Sequence, residues 1–173
     1  MSAFPDWQKY VVKQKQPATG CIPTGYQMIL MAAGTKGVDF DKFQDEFDFD
    51  KDLKPGESPR NNFDSVAEAI RVKHPNIHFK HICFPKNEGS KKLELVENLI
   101  LQRKPVLISL ALAPFAGRGW HIMPVVDSSS DSLTLFWGID DHGTADIKML
   151  NKADFVHIHE RFQGGDDIAF LEQ

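Results

Sequence analysis

Cys21 stands where a thiol is suited to act as a nucleophile. It follows Gly20, and an apolar pattern with helical spacing begins directly after it, at Tyr26, Ile29, Leu30 and Ala33. The thiol is therefore predicted at or just before a helix N-terminus. The free N–H groups and the positive dipole end found there favour a thiolate and lower the pKa of a cysteine. A catalytic cysteine also needs a base, a group that orients the base, and donors for an oxyanion.

His121 is the candidate base. It lies near the start of an apolar segment, 120–127, directly after the turn-rich segment 114–119. A polar turn at 128–132 and a second apolar segment at 133–137 predict a hairpin, so the start of the first strand lies beside the end of the second. The imidazole is expected at that end of the hairpin.

Acidic residues near the same end are candidates for orienting His121. Asp140 is preferred, because a cross-strand carboxylate there would fix the tautomer and the orientation of the imidazole. Asp141 is the alternative, and it points to the other face if the strand continues. Asp127 is a weaker candidate because it lies too far along the strand that carries His121. Together, Cys21, His121 and Asp140 predict a Cys-His-Asp triad.

Hydrophobic periodicity and turn residues predict the elements that position these groups. The cysteine helix takes Pro23 in its first turn and ends before Gly34. Further helices are expected over 39–47, 65–73 (with a Ser65–Glu68 capping box), 90–103 and 151–162. Strands are expected over 77–84, 105–113, 120–127, 133–137, 144–150 and 167–171, and 7–13 as a short strand or extended arm. Helices first and mostly antiparallel strands afterwards predict an α+β fold, with residues 1–173 as one domain.

Composition narrows the classes of function. The chain has 173 residues, 42% hydrophobic and 25% charged, which is typical of a globular protein with a sizeable core. A net charge of −4 and a pI near 5.9 argue against nucleic acid or an anionic membrane as the partner. No apolar run approaches the ~18 residues that span a bilayer, and residues 1–6 do not resemble a signal peptide. A cytoplasmic location is therefore expected, while composition says nothing about the oligomeric state.

The chain has only two cysteines, which disfavours a disulfide framework and fits a reducing compartment. Cys83 is predicted to be an inert thiol within a strand, because apolar neighbours would desolvate it and raise its pKa. No metal or other cofactor is expected. The sequence has no H-E-x-x-H or C-x-x-C spacing, and His157 and His159 would diverge on a helix.

The chain resembles the papain-like cysteine peptidases and, among them, the compact C39-like peptidases. In the first part of the chain, the resemblance lies in the upstream glutamines Gln14 and Gln16 and in the segment Pro17–Cys21, which opens a helix that ends in Met28–Leu30. In the second part, it lies in the segment Trp120–Val126 and in Asp140. It implies a papain-like fold, in which an N-terminal helical lobe carries the cysteine helix. That lobe packs on a twisted antiparallel sheet carrying the histidine and the aspartate.

By this likeness Cys21 is the nucleophile, His121 the base and Asp140 the orienting acid. An upstream glutamine donates to the oxyanion together with the N–H of Cys21, and Gln14 is preferred over Gln16 because the longer loop needs less strain. The implied function is hydrolysis of a peptide or amide bond in a peptide or protein substrate, through a thioester acyl-enzyme. Two alternatives use the same fold. One is a non-catalytic domain that binds a peptide or a protein partner, and the other is an acyltransferase that uses the same triad with an amine acceptor.

Overall fold

The computed structural model of the chain describes residues 5–115, 117–139, 142–162 and 167–172. Its α-helices are α1 (Cys21–Ala32), α2 (Phe43–Phe47), α3 (Phe63–Lys73), α4 (Gly89–Leu101) and α5 (Lys152–Phe162). Its strands are β1 (Phe79–Ile82), β2 (Val106–Ala111), β3 (Trp120–Ser128), β4 (Ser132–Ile139), β5 (Ala145–Asn151) and β6 (Ile168–Leu171). Short 3-10 helices cover Trp7–Tyr10 and Ala113–Phe115.

The six strands form one sheet in the order β1-β6-β2-β3-β4-β5. All neighbouring pairs are antiparallel. This mixture of helices with an antiparallel sheet confirms the α+β class. The order along the chain is the predicted one: β1 separates α3 from α4, as expected from the strand at 77–84, and α5 separates β5 from β6, as expected from the helix at 151–162. The last strand, β6, enters the sheet between β1 and β2, where it buries Ile168 and Ala169.

The cysteine helix lies in the middle of the core rather than on its surface. Every residue from Ile22 to Leu30 is buried, although the sequence pattern predicts only one apolar face. A Cβ on Gly25 would come within 2.8 Å of Leu107 on β2, so a glycine is required for this close contact between helix and sheet. Tyr26 is fully buried and donates its hydroxyl proton to the carbonyl of Phe63 at 3.0 Å, which connects α1 to α3.

The helix bounds follow local signals with one correction. Cys21 is the first residue of α1, Pro23 lies in its first turn, and Gly34 follows its end at φ +66°, as predicted. The predicted Ser65–Glu68 capping box is wrong. The cap of α3 is Asn62, whose side chain accepts from the N–H of Ser65, while the Ser65 hydroxyl accepts from the N–H of Asn62. Asparagine is as good an N-cap as serine, and the helix begins two residues earlier than predicted.

Two further expectations are corrected by the structure. The segment predicted as a strand or arm at 7–13 begins instead as the 3-10 helix Trp7–Tyr10. Cys83 lies one residue beyond the end of β1 and is exposed, so it is not the desolvated strand thiol that its apolar neighbours in sequence predict.

None of the helices in the described ranges is both long and apolar enough to cross a bilayer.

Candidate active site

Three of the site residues predicted from the sequence line one small cavity. Gln14, Cys21 and His121 all line it, and its volume is about 30 Å³. Liquid water occupies about the same volume per molecule, so the cavity accommodates a group of roughly one heavy atom. Its remaining walls come from the extended segment before α1, from α1 itself, and from β3 and β4: Val12, Thr24, Gly25, Met28, Ile122, Pro124, Phe136, Trp137 and Gly138.

Cys21 opens α1 and is half-buried. Burial raises the pKa of its thiol above the ordinary value of 9.0. Main-chain groups of Ile122, Cys21 and Ile22 oppose this shift by hydrogen bonding to the sulfur, and the nearby Asp48 carboxylate adds to it. The pKa lowering expected from the helix N-terminus is therefore wrong, because desolvation of the sulfur outweighs the main-chain groups.

His121 lies on β3, and its ring faces β4. Its Nε2 is 2.8 Å from the carbonyl oxygen of Trp137. Because a carbonyl can only accept, the proton of a neutral imidazole must be on Nε2, which leaves Nδ1 with a free lone pair. The Trp137 ring packs against the imidazole with a centroid distance of 5.4 Å. Burial lowers the pKa of His121 below 6.5, and the bond to Trp137 offsets part of this shift.

The carbonyl of Trp137 is available to His121 because β4 is irregular at this point. The register between β4 and β5 shifts between Phe136 and Gly138, so the ladder skips Trp137. Such bulges redirect a residue away from regular pairing and are frequent beside active sites. Neither hydrophobic alternation nor turn chemistry marks this position, so sequence reasoning missed it.

The acidic candidates for orienting His121 do not enter the described site. Asp140 and Asp141 both lie outside the described residues. Asp127 is described, and its carboxylate accepts from the N–H of Ser128 at 2.8 Å, at the opposite end of β3 from His121. Among the described residues, the group that holds the tautomer of His121 is the carbonyl of Trp137.

Of the two upstream glutamines, the structure places Gln14 at the cavity. Its amide nitrogen donates one hydrogen bond to the carbonyl of Gln16. An amide nitrogen carries two N–H groups, so this bond leaves one for a ligand. Gln16 contributes its main chain, and its carbonyl oxygen and Cβ pack closely against Gly20. Of the two candidates for the oxyanion donor, Gln14 is therefore the one that lines the cavity with Cys21, and its role as a donor stays a prediction.

A buried glutamine that sequence reasoning missed fixes the loop carrying Gln14. The side chain of Gln44 on α2 is 3% exposed and makes four hydrogen bonds. Its amide donates to the carbonyl of Lys13 and to the side chain of Gln27, and its oxygen accepts from the N–H of Lys15 and the hydroxyl of Thr24, all at 2.9–3.1 Å. Gln44 thus connects the Gln14 loop to the first turns of α1.

A second polar network holds the turn before Cys21. Asn61 donates to Asp48 at 2.7 Å and to the carbonyl of Thr19 at 3.3 Å, and the hydroxyl of Thr19 donates to Asp50 at 2.7 Å. The Oδ2 atom of Asp48 is buried and lies where a Cβ on Gly20 would approach it within 3.2 Å. Gly20 is therefore required by its neighbours, since its φ of −66° suits any residue.

A larger groove lies on the other side of Cys21. Its volume is about 510 Å³, and it runs between the loop before α3 and the start of β3. Trp120, half exposed, and Ile122 form one wall. The other lining residues are Ala18, Thr19, Cys21, Ile22, Pro59, Asn61, Asn62, Ser109 and Gly119. Cys21 thus lines both a small cavity and a much larger groove.

Within the described ranges, no three His, Cys, Asp or Glu side chains come together in a way that could hold a metal ion. A scan against protein-family models finds no match for the chain, and no curated protein matches it at a significant level.

Proposed function

We propose that the chain is a papain-like cysteine hydrolase that cleaves a peptide or amide bond with Cys21 as the nucleophile and His121 as the base. The observation that supports it best is the meeting of Gln14, Cys21 and His121 at one small cavity. In that cavity the proton on Nε2 of His121 is fixed by Trp137 and Nδ1 is left as an acceptor.

The reaction begins with two uncharged groups. The Cys21 thiol passes its proton to Nδ1 of His121 as the sulfur attacks the substrate carbonyl carbon. The oxyanion that forms is stabilised by the N–H of Cys21 and the second N–H of the Gln14 amide. The imidazolium then protonates the leaving amine, and water cleaves the thioester with His121 again acting as base. The groove beside Trp120 holds the peptide on either side of the scissile bond.

Two groups act on His121 in this proposal, one through a hydrogen bond and the other through its charge. The Trp137 carbonyl sets the tautomer, and the Asp140 carboxylate stabilises the imidazolium. We expect Asp140→Asn to lower kcat by about 10–100-fold, less than the ~10⁴-fold loss seen when an aspartate alone holds the tautomer. Asp141→Asn is the matched control and is expected to change kcat less than threefold. A larger loss in Asp141→Asn would reverse the assignment of the two acids.

The decisive experiment is labelling with a peptidyl acyloxymethyl ketone, followed by mass-spectrometric mapping of the modified residue. We expect one label on Cys21, unchanged in Cys83→Ala and absent in Cys21→Ala and His121→Ala. Turnover of a peptide library should be lost in the same two variants, and the double variant should be no worse than either, since the two groups act as a unit. Turnover that survives Cys21→Ala would reject the proposal.

A non-catalytic peptide-binding domain is the second candidate. The observation that favours it is the burial of Cys21, which keeps the thiol protonated at neutral pH. This candidate predicts that a peptide binds in the groove and is recovered uncleaved, and that Trp120→Ala weakens binding while Cys21→Ala does not. Cleavage of the bound peptide by the unaltered chain would exclude it.

A further inference from the structure

A second cysteine, histidine and aspartate meet between the end of β1 and the first turn of α3, and none of the three lines the cavity of Cys21. The Sγ atom of Cys83 is 3.0 Å from Nε2 of His81, and Nδ1 of the same ring is 2.9 Å from Oδ1 of Asp64. The three groups come from two elements. His81 lies on the edge strand β1, Cys83 follows it two residues later, and Asp64 lies in the first turn of α3.

The hydrogen bonds assign the protons in this group. A carboxylate such as Asp64 only accepts, so Nδ1 of His81 carries a proton and donates it. In the neutral ring Nε2 is then an acceptor, and the Cys83 thiol donates to it. The Phe63 ring meets the His81 ring edge-on with a centroid distance of 5.7 Å and helps to hold its orientation. This is the arrangement in which a histidine takes the proton of a thiol.

Cys83 differs from Cys21 in its exposure to solvent and in the charged groups around it. Cys83 is exposed, whereas Cys21 is half-buried. Two charged groups near Cys83 within the described residues are Lys92 of α4 and Asp167, the residue before β6. A thiolate on Cys83 attracts the Lys92 ammonium, and the next residue, Phe84, donates its N–H to Asp167 at 2.6 Å. Asp167 is itself bound to Lys92 at 2.9 Å, which compensates its charge.

We propose that Cys83 is a site of reversible S-thiolation, at which the thiol exchanges with a low-molecular-weight disulfide while His81 holds the proton and Asp64 holds His81. Cys83 passes its proton to Nε2 of His81, and the sulfur attacks one sulfur of the disulfide R–S–S–R. The S–S bond breaks as the Cys83–S–S–R bond forms, and the leaving R–S⁻ takes the proton from His81. The products are the mixed disulfide and one R–SH, so the oxidation of Cys83 is balanced by the reduction of the leaving sulfur.

The chain allows a clean test because it has only two cysteines. In Cys21→Ala, Cys83 is the sole thiol, and its reaction with 2,2′-dithiodipyridine at pH 6 is followed by the absorbance of the released thione. We expect the folded chain to react at least tenfold faster than the same chain unfolded in guanidinium chloride. His81→Gln, added to Cys21→Ala, should bring the folded rate down to the unfolded one. His78→Gln, which removes an exposed histidine from the same segment, should leave it unchanged.

Asp64→Asn tests the same arrangement without disturbing the core, since the Asp64 side chain is 80% exposed. We expect an intermediate rate, because the imidazolium loses the carboxylate opposite it. A folded rate equal to the unfolded one, or a rate that neither His81→Gln nor Asp64→Asn changes, would overturn the proposal.

The physiological form of the reaction is tested with oxidised glutathione on the unaltered chain. We expect one glutathione on Cys83 by peptide mapping, removed by dithiothreitol and absent in Cys83→Ala. An adduct on Cys21 alone, or none, would overturn the proposal. The rate measurements with 2,2′-dithiodipyridine are independent of hydrolase activity, because the chain used for them lacks Cys21.

Discussion

Burial acts on Cys21 and His121 in opposite directions, raising the pKa of the thiol and lowering the pKa of the imidazole. Both shifts favour the uncharged form, so the resting site holds a thiol and a neutral imidazole rather than an ion pair. Sequence reasoning placed the cysteine at the helix N-terminus correctly but not its burial. The buried state depends on packing against a core cluster, including Ile122 of β3, that only the folded chain brings near.

The first prediction concerns pH. In Cys83→Ala, where Cys21 is the sole thiol, the rate of alkylation by iodoacetamide should reach half its maximum above pH 9.0, since the thiolate is desolvated. If the chain is the proposed hydrolase, kcat/KM of the unaltered chain should fall on the acid side with a midpoint below pH 6.5, because protonation removes the proposed base and burial lowers the pKa of His121. A half-maximal alkylation rate below pH 8 would show that Cys21 and His121 form an ion pair instead.

The second prediction separates the two glutamines. In the proposed mechanism Gln14→Ala removes a donor to the oxyanion, and such a loss costs about 2.7–4 kcal/mol of barrier, or 10²–10³-fold in kcat. Gln16→Ala is the matched control, because it keeps the main-chain carbonyl to which Gln14 is bound, and we expect a change below fivefold. The measurement is kcat on the best substrate of the peptide library. Equal losses in the two variants would mean that kcat depends on the conformation of the loop and not on the Gln14 amide.

Single helices and strands were largely predictable because their signals are local. Pro23 and Gly34 bound α1, and the apolar alternation around His121 predicts the β3–β4 hairpin that places it. What the sequence could not reveal are contacts made across elements. Gln44 is ordinary in sequence, and only its four buried hydrogen bonds show that it holds the Gln14 loop. Likewise, nothing local predicts that the register skips Trp137.

The third prediction concerns the contact of α1 with the sheet. Gly25→Ala places a methyl group 2.8 Å from Leu107, so the helix carrying Cys21 must shift or the leucine must repack. Overpacking of this kind costs about 1–3 kcal/mol of stability. Gly138→Ala is the control, because this glycine lines the same cavity but has no neighbour within 4 Å of the added Cβ.

Urea unfolding of both variants checks this, and we expect a lower midpoint for Gly25→Ala alone. Peptide turnover should fall in the same variant, since Cys21 moves relative to His121. Equal midpoints for Gly25→Ala and the unaltered chain would show that Leu107 relaxes without cost.

At the scale of the whole molecule, the sequence predicts the class of fold but not the order of the strands. The last strand, β6, lies between β1 and β2, and its position is set by packing between segments far apart in the chain. A buried ionic cluster accompanies it. Asp167, next to β6, binds Lys92 of α4 at 2.9 Å, and His159 of α5 lies 3.4 Å from the same oxygen. Lys92 also donates to the carbonyl of Ser109 on β2 at 3.1 Å.

The fourth prediction tests whether this cluster holds β6 and the two helices together. Lys92 and Asp167 are both almost fully buried, and removing one partner of such a pair leaves the other uncompensated, at a cost of about 3–5 kcal/mol. We expect Lys92→Met and Asp167→Asn each to lower the free energy of unfolding by an amount of this order. The double variant should be more stable than the sum of the two losses predicts, because no unpaired charge remains.

Urea unfolding at pH 7 measures all three variants, with Glu68→Gln as the control. Glu68 pairs with Arg71 at the surface with good geometry, at 2.6 and 2.8 Å, but solvent screens this pair, so the unfolding midpoint of Glu68→Gln should equal that of the unaltered chain.

Burial lowers the pKa of Lys92, which limits the loss in Asp167→Asn because the amine can shed its proton. Lys92→Met should therefore be the more damaging of the two single changes, since it leaves the buried Asp167 carboxylate without the ammonium that faces it. If the two losses simply add, Lys92 and Asp167 are not coupled, and their ion pair does not help to hold β6 between its neighbours.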